Sequence, residues 1–154
     1  MDLLSDIKSG MSQDVADALV ELFLSDPTFP KEQAEATSGI VAVCHGLAYK
    51  SGWWTKNGED VTQTGNFNVP EKLCLIHSEI SEAMEGFRKD LMDDHLPHRK
   101  MVEVELADAV IRIFDLAGAL RLDIGGAMVE KLAYNQKRAD HRPENREQEG
   151  GKKF

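Results

Sequence analysis

The segment "VEVELADAVIRIFD", residues 102–115, is apolar around most of a helical circumference, yet Glu105, Asp108, Arg112 and Asp115 run along it in a line. Spacings of three, four and three place those four side chains on one face of a helix, at about 100° per residue. A helix that is apolar nearly all round is enclosed by other helices. The preceding apolar segment, "LIHSEISEAMEGFRKD" (residues 75–90), repeats the arrangement with Glu79 and Glu82 one turn apart. Its expected core stripe is Leu73, Ile76, Ile80, Ala83 and Phe87. Glu79 sits at the edge of that stripe, Glu82 lies one step further round on the same side, and Glu85 points to the opposite face.

The rest of the chain also follows helical periodicity. Residues 12–25 carry apolar positions 15, 18, 19, 22 and 23, with Ser12 as N-cap, and "DPTFP" ends that helix. Further helices are expected over about 31–51, from Pro70 to Lys89, over 98–121, and from an Asp123 N-cap to Asp140. Residues 55–69 are polar and read as a loop, and no alternating strand pattern stands out. The fold class is therefore all-α, a helical bundle. Residues 1–30 form an N-terminal helical appendage, 31–141 the main helical domain, and 142–154 a flexible charged tail.

Charge and composition narrow the function. With 154 residues and 42% apolar content the chain can bury a core. A formal charge of −9 opposes binding to nucleic acid or an anionic membrane. A phosphate compound remains compatible if a divalent cation lies between the two. Cys44 and Cys74 lie in apolar helical patterns and belong to no C-x-x-C pair, so they read as buried thiols of a reducing compartment. The N-terminus lacks the pattern of a signal peptide and no run is long enough to span a bilayer, so the expected location is cytoplasmic.

Four carboxylates beside core stripes would repel one another without a cation, and their pKa values would rise. A hard divalent ion, Mg²⁺ or Mn²⁺, resolves the conflict, with Glu79, Glu82, Glu105 and Asp108 as its ligands. The alternative is a solvated strip in which Arg112 pairs with Asp108 or Asp115. In the last helix Lys131, Tyr134, Asn135 and Arg138 share a face. Beside a metal site Lys131 and Arg138 become phosphate ligands, and Asn135 a hydrogen-bonding group for a sugar or base. Of Trp53 and Trp54, one is a candidate to stack on a base; His45 is a candidate to hydrogen-bond substrate.

In this order, "HGLAYKSGWW", "LIHSEISEAMEGFRK", "EVELADAVIRIFD" and "KLAYNQKRADH" resemble the MazG-like all-α nucleoside triphosphate pyrophosphohydrolases over about residues 40–141. The family signature Glu-x-x-Glu, spacer, Glu-x-x-Asp appears as Glu79, Glu82, Glu105 and Asp108. The resemblance implies a four-helix-bundle-like domain that cleaves a nucleoside triphosphate to monophosphate and pyrophosphate with Mg²⁺ held by those carboxylates. It implies Glu79 or Glu82 as the group that orients or deprotonates water, and Lys131, Asn135, Arg138, His45 and Trp54 as substrate ligands. His45 and Trp54 keep the family's spacing, which favours Trp54 over Trp53. A homodimer or dimer of dimers is implied as well. Ser78 stands where some members carry an extra acidic residue. Arg112 stands where the deoxycytidine triphosphate branch has Tyr, so base choice does not transfer. A different class of reading is a metal- or nucleotide-binding helical module without turnover, serving regulation or assembly.

Overall fold

The computed structural model describes residues 12–147; the expected tail beyond 147, and the appendage before 12, lie outside the described residues. The described chain is mostly helical. By their contacts these residues form two compact units, one of residues 12–37 with 125–147 and the other Ser38–Ile124.

The first unit begins with α1 (Gln13–Ser25), where Ser12 Oγ accepts the N–H of Val15 at 3.4 Å as the expected N-cap. Asp26 then accepts the N–H of Thr28 at 2.8 Å, turning the chain. The next helix, α2 (Phe29–Lys50), starts two residues earlier than expected, because Pro30 suits a first helical turn. It begins in the first unit and continues into the second. The last long helix, whose first residue Ile124 closes the second unit, ends at Gln136 rather than Asp140. Beyond it the chain turns, with Lys137 N–H donating to Tyr134 O, into a 3₁₀ turn over Ala139–His141 and a short helix at Pro143–Arg146.

The second unit corrects the sequence reading of residues 55–69. "TKNGED" is a small hairpin, β1 (Thr55–Lys56) against β2 (Glu59–Asp60), in antiparallel register Thr55↔Asp60. Asn57 and Gly58 both take positive φ, 54° and 81°, the geometry that favours Asn-Gly in a two-residue turn. The hairpin has only two residues per strand, too few for an alternation to show. It leads into a one-turn helix, α3 (Val61–Thr64), capped by Asp60. The helix α4 (Val69–Lys89) follows, with Asn68 as N-cap and Pro70 in its first turn. A connection over residues 90–100 leads to α5 (Met101–Ala119).

α4 and α5 form an antiparallel pair. Gly86 makes their close approach possible, since a Cβ there would lie 2.8 Å from Met101 Cγ. Buried Asp93 organises the connection by accepting the N–H groups of His95 and Leu96. The core of this unit is Trp54, Val61, Leu116 and Ala119, with Ala48, Phe67 and Ile76 packed on it.

The stripe expected on α4 is rotated by about one position. Its buried residues are Glu79, Ala83 and Gly86, whereas Leu73, Ile80 and Phe87 are exposed. The cause is the pairing with α5, which draws the carboxylate edge inward and turns the bulkiest apolar groups out. The expected burial of both thiols is corrected in the same way. Cys44 is half-buried but Cys74, on the outer side of α4, is exposed.

Candidate metal centre and adjoining cavity

The antiparallel pairing of α4 with α5 sets Glu79 opposite one turn of α5, and a three-residue step along that turn adds both Glu105 and Asp108. Oxygen atoms of Glu79, Glu105 and Asp108 lie within 4.8 Å of one another. Glu79 and Glu105 are buried and Asp108 is half-buried. The four expected ligands thus divide into a group of three and Glu82, which is exposed one turn further along α4 and still adds its negative charge to Glu105. Glu85 is held elsewhere, by Arg88 Nε at 2.9 Å and Lys89 Nζ at 2.5 Å, and those cations pull its carboxyl down to about 2.

Electrostatics in the cluster are dominated by burial and like charge. Desolvation, a hydrogen bond with Glu79 and the charges of Glu82, Glu79 and Asp108 push the Glu105 carboxyl up to about 7. Burial and the Glu79 charge also raise Asp108, with Arg112 opposing them. Arg112 lies one turn beyond Asp108 on α5, but its guanidinium reaches across to α4. Its Nε sits 2.7 Å from Glu79 Oε1. The intrahelical pairing of a solvated strip is replaced by an ion pair between helices, with one partner buried. The donor set fits a hard divalent ion: three carboxylates and, among the described residues, no His or Cys in the group.

A cavity of about 280 Å³ adjoins the cluster. Asp108 forms part of both, and Lys72, Arg112, Asp115 and Trp53 supply the other polar and aromatic walls. Asp115 is the hub of its inner side. One oxygen, Oδ1, accepts Trp54 Nε1–H at 2.7 Å and faces His45 Nδ1 at 2.9 Å. A carboxylate only accepts, so His45 carries a proton on Nδ1. Gly118 gives His45 its place, because a Cβ there would fall 2.5 Å from His45 Cβ.

The two tryptophans have opposite environments. Trp54 has no exposed surface; it meets Phe67 and His45 edge-on, at 5.0 and 5.5 Å, and Lys72 Nζ lies 4.5 Å from its ring centre. Trp53 is 72% exposed and lines the cavity. The residues expected to bind substrate therefore separate. Trp54 is a core residue, His45 is tied to Asp115 and borders a different cavity of about 420 Å³, and the open indole beside the carboxylates is Trp53.

Lys131, Asn135 and Arg138 belong to the other unit. There Lys131 Nζ lies 4.8 Å from the Tyr134 ring centre, and Arg138 pairs with Asp140 at 2.5 Å. The Oδ1 atom of Asn135 is buried without a hydrogen-bond partner among the described residues. Lys72 and the hub role of Asp115 escaped the sequence reading. The one available signal was the position of Asp115 on the same line as Asp108, seven residues on.

Compared with protein-family models, curated proteins and solved structures, the chain has no match in any of the three.

Proposed function

We propose that this chain is a Mg²⁺-dependent nucleotide pyrophosphohydrolase that converts a nucleoside triphosphate to the monophosphate and pyrophosphate, with a MazG-like fold. The observation that carries the reading is the gathering of Glu79, Glu105 and Asp108, from two helices, beside a cavity that also holds Lys72 and Arg112. Burying like charges together is unfavourable in a fold without a purpose for them. Oxygen-only donors of this kind suit Mg²⁺ or Mn²⁺.

When bound, such an ion supplies neutralisation of phosphate charge and an acidified water. Glu79, Glu105 and Asp108 would hold it. Glu79 already has one oxygen on Arg112, and exposed Glu82 is the carboxylate of the quartet outside the buried group. Glu82 is accordingly assigned to take the proton of the attacking water. Lys72 and Arg112 offset the remaining charge of the triphosphate, and Trp53 offers a face to the base.

The apolar surface supports a second copy as partner. Ile80, Met84 and Phe87 share a face of α4, and Leu106, Val110 and Ile113 share one of α5, all exposed. Among the described residues no helix is long and apolar enough to cross a membrane, so this surface calls for a protein partner rather than a span. A homodimer through these faces is the proposed working unit. The unpaired cysteines fit the cytoplasm as its place.

One observation favours a second reading. The Arg112–Glu79 ion pair already places a positive charge among the carboxylates, as a nucleotide- or metal-binding module without turnover could use. Product analysis separates the two readings: nucleoside triphosphates are incubated with and without Mg²⁺ or Mn²⁺, and monophosphate and pyrophosphate are quantified. Pyrophosphate release that requires the ion is expected. Nucleotide binding without release would establish the module instead.

A further inference from the structure

A carboxylate is an unusual wall for a cavity meant to receive a triphosphate, unless that part of the cavity receives something else. Asp115 is such a wall. Its Oδ1 is saturated by two N–H groups, Trp54 Nε1 at 2.7 Å and His45 Nδ1 at 2.9 Å. Those two bonds lock the carboxylate in place, since the Trp54 ring is wholly buried and the His45 ring rests on Gly118. Asp115 also lines the cavity, and its second oxygen, Oδ2, has no hydrogen bond among the described residues, which leaves it as the acceptor for a ligand there.

Asp115 lies seven residues after Asp108 on α5, hence ~10 Å along the helix axis at 1.5 Å per residue. One end of the cavity therefore belongs to the carboxylate cluster and the other to Asp115, with Trp53 as an open aromatic wall. About 280 Å³ falls just under the usual range of ligand pockets, roughly 300–1,000 Å³. That volume suits a base and sugar whose phosphates extend past Asp108.

We propose that Asp115 is the specificity-determining residue of this cavity, its Oδ2 accepting a hydrogen bond from the exocyclic amine of a nucleobase stacked on Trp53. The proposal rests on the reading that the carboxylate cluster takes the phosphates. Cytosine and adenine carry such an amine and donate to a single oxygen. Uracil and hypoxanthine present a carbonyl at the same place, so two acceptors would face each other. The lone pairs would then repel and both acceptors would go unsatisfied, a loss larger than that of a missing contact. Lys72 and Arg112 bring positive charge to the same walls, which keeps a fixed carboxylate compatible with a polyanionic ligand.

The test uses matched pairs differing at one group: dCTP against dUTP, and ATP against ITP, by kcat/KM in Mg²⁺. A second readout needs no metal: quenching of tryptophan fluorescence by CMP against UMP, with Trp53→Phe removing the response. The amine member of each pair is expected to win by about tenfold or more. Asp115→Asn is expected to erase or reverse that ratio, because the amide can turn an N–H toward the carbonyl. A purely structural loss around Trp54 would weaken both members equally and leave the ratio standing. If the variant does not fold, the wild-type ratios decide alone. Turnover or binding with equal ratios, or ratios unchanged in Asp115→Asn, overturns the proposal while the hydrolase reading stands. Neither binding nor turnover of any nucleotide overturns both.

Discussion

Replacing Glu105 by Gln removes the most perturbed charge of the cluster at nearly constant volume, and its effect on stability can be worked out with sign. In the folded chain the Glu105 carboxyl is held at about 7, against 4.5 for the same group without its surroundings. Below the lower value both folded and unfolded chains carry the proton, and the site contributes its full stability. As pH rises from 4.5 to 7 the unfolded chain releases the proton while the folded chain retains it. Folding is then progressively penalised, and above 7 the contribution is gone. The difference corresponds to about 3 kcal/mol across that window. Gln cannot titrate, so the variant lacks this decline.

Urea unfolding in EDTA at pH 4.5, 6, 7 and 8, at fixed protein concentration, measures it. The quantity to follow is the stability of Glu105→Gln minus that of the wild type, which cancels titrations elsewhere. It is expected to rise by about 3 kcal/mol from pH 4.5 to pH 8. Saturating Mg²⁺ at pH 8 should cancel most of that difference, since an ion at a hundred times its Kd adds about 2.7 kcal/mol to the wild type by linkage. Parallel pH profiles for the two proteins would refute the reasoning, because they would mean that Glu105 is neither desolvated nor crowded by Glu79 and Asp108.

Glu82→Gln is expected to keep the fold and the melting temperature while pyrophosphate release falls by orders of magnitude; Glu85→Gln, whose partners are Arg88 and Lys89, should release pyrophosphate at the wild-type rate. Trp54→Ala should destabilise the second unit by about 3–5 kcal/mol, read from urea midpoints, because a fully buried indole is lost and Asp115 forfeits a donor. Light scattering should give at least a dimer, and Phe87→Glu, at a site 77% exposed, should shift it toward monomer with an unchanged circular dichroism spectrum. A wild-type monomer at micromolar concentration would exclude the proposed interface.

How far the sequence could be read depended on the range of the interaction concerned. The helix cap at Ser12 and the first turn at Pro70 are local signals, and those helices lie close to where the signals put them, whereas Pro30, read as part of a helix-ending segment, lies in the first turn of α2. Asn57-Gly58 is equally local, but two-residue strands leave no period to detect, so the hairpin was missed. The three gathered carboxylates were legible because a spacing of three fixes a face within each helix. That Arg112 would choose Glu79 over Asp108 or Asp115 was not legible, since the choice depends on the register between α4 and α5. Trp53 and Trp54 make the same point. Adjacent residues of one type differ only in which way the turn after Gly52 sends them, and burial went to Trp54.

The same register explains how the cluster can exist before any ion arrives. Glu79, Glu105 and Asp108, with exposed Glu82 beside them, bring up to four negative charges, and like charges gathered on that scale would oppose the α4–α5 pairing. Two substitutes reduce the burden in the fold itself. Arg112 contributes a cation directly on Glu79, and Glu105 keeps a proton to about pH 7, shared by hydrogen bond with Glu79. Neither substitute reaches Asp108 by a direct bond, and Asp108 is the member of the group that opens on the cavity. An ion held by Glu79, Glu105 and Asp108 would take the place of the Glu105 proton, since a carboxylate ligates in its ionised form. Ion binding should then release a proton below pH 7 and release none above pH 8. The proton and Arg112 together offset like charge within the pairing, and an ion would compete with that proton for Glu105.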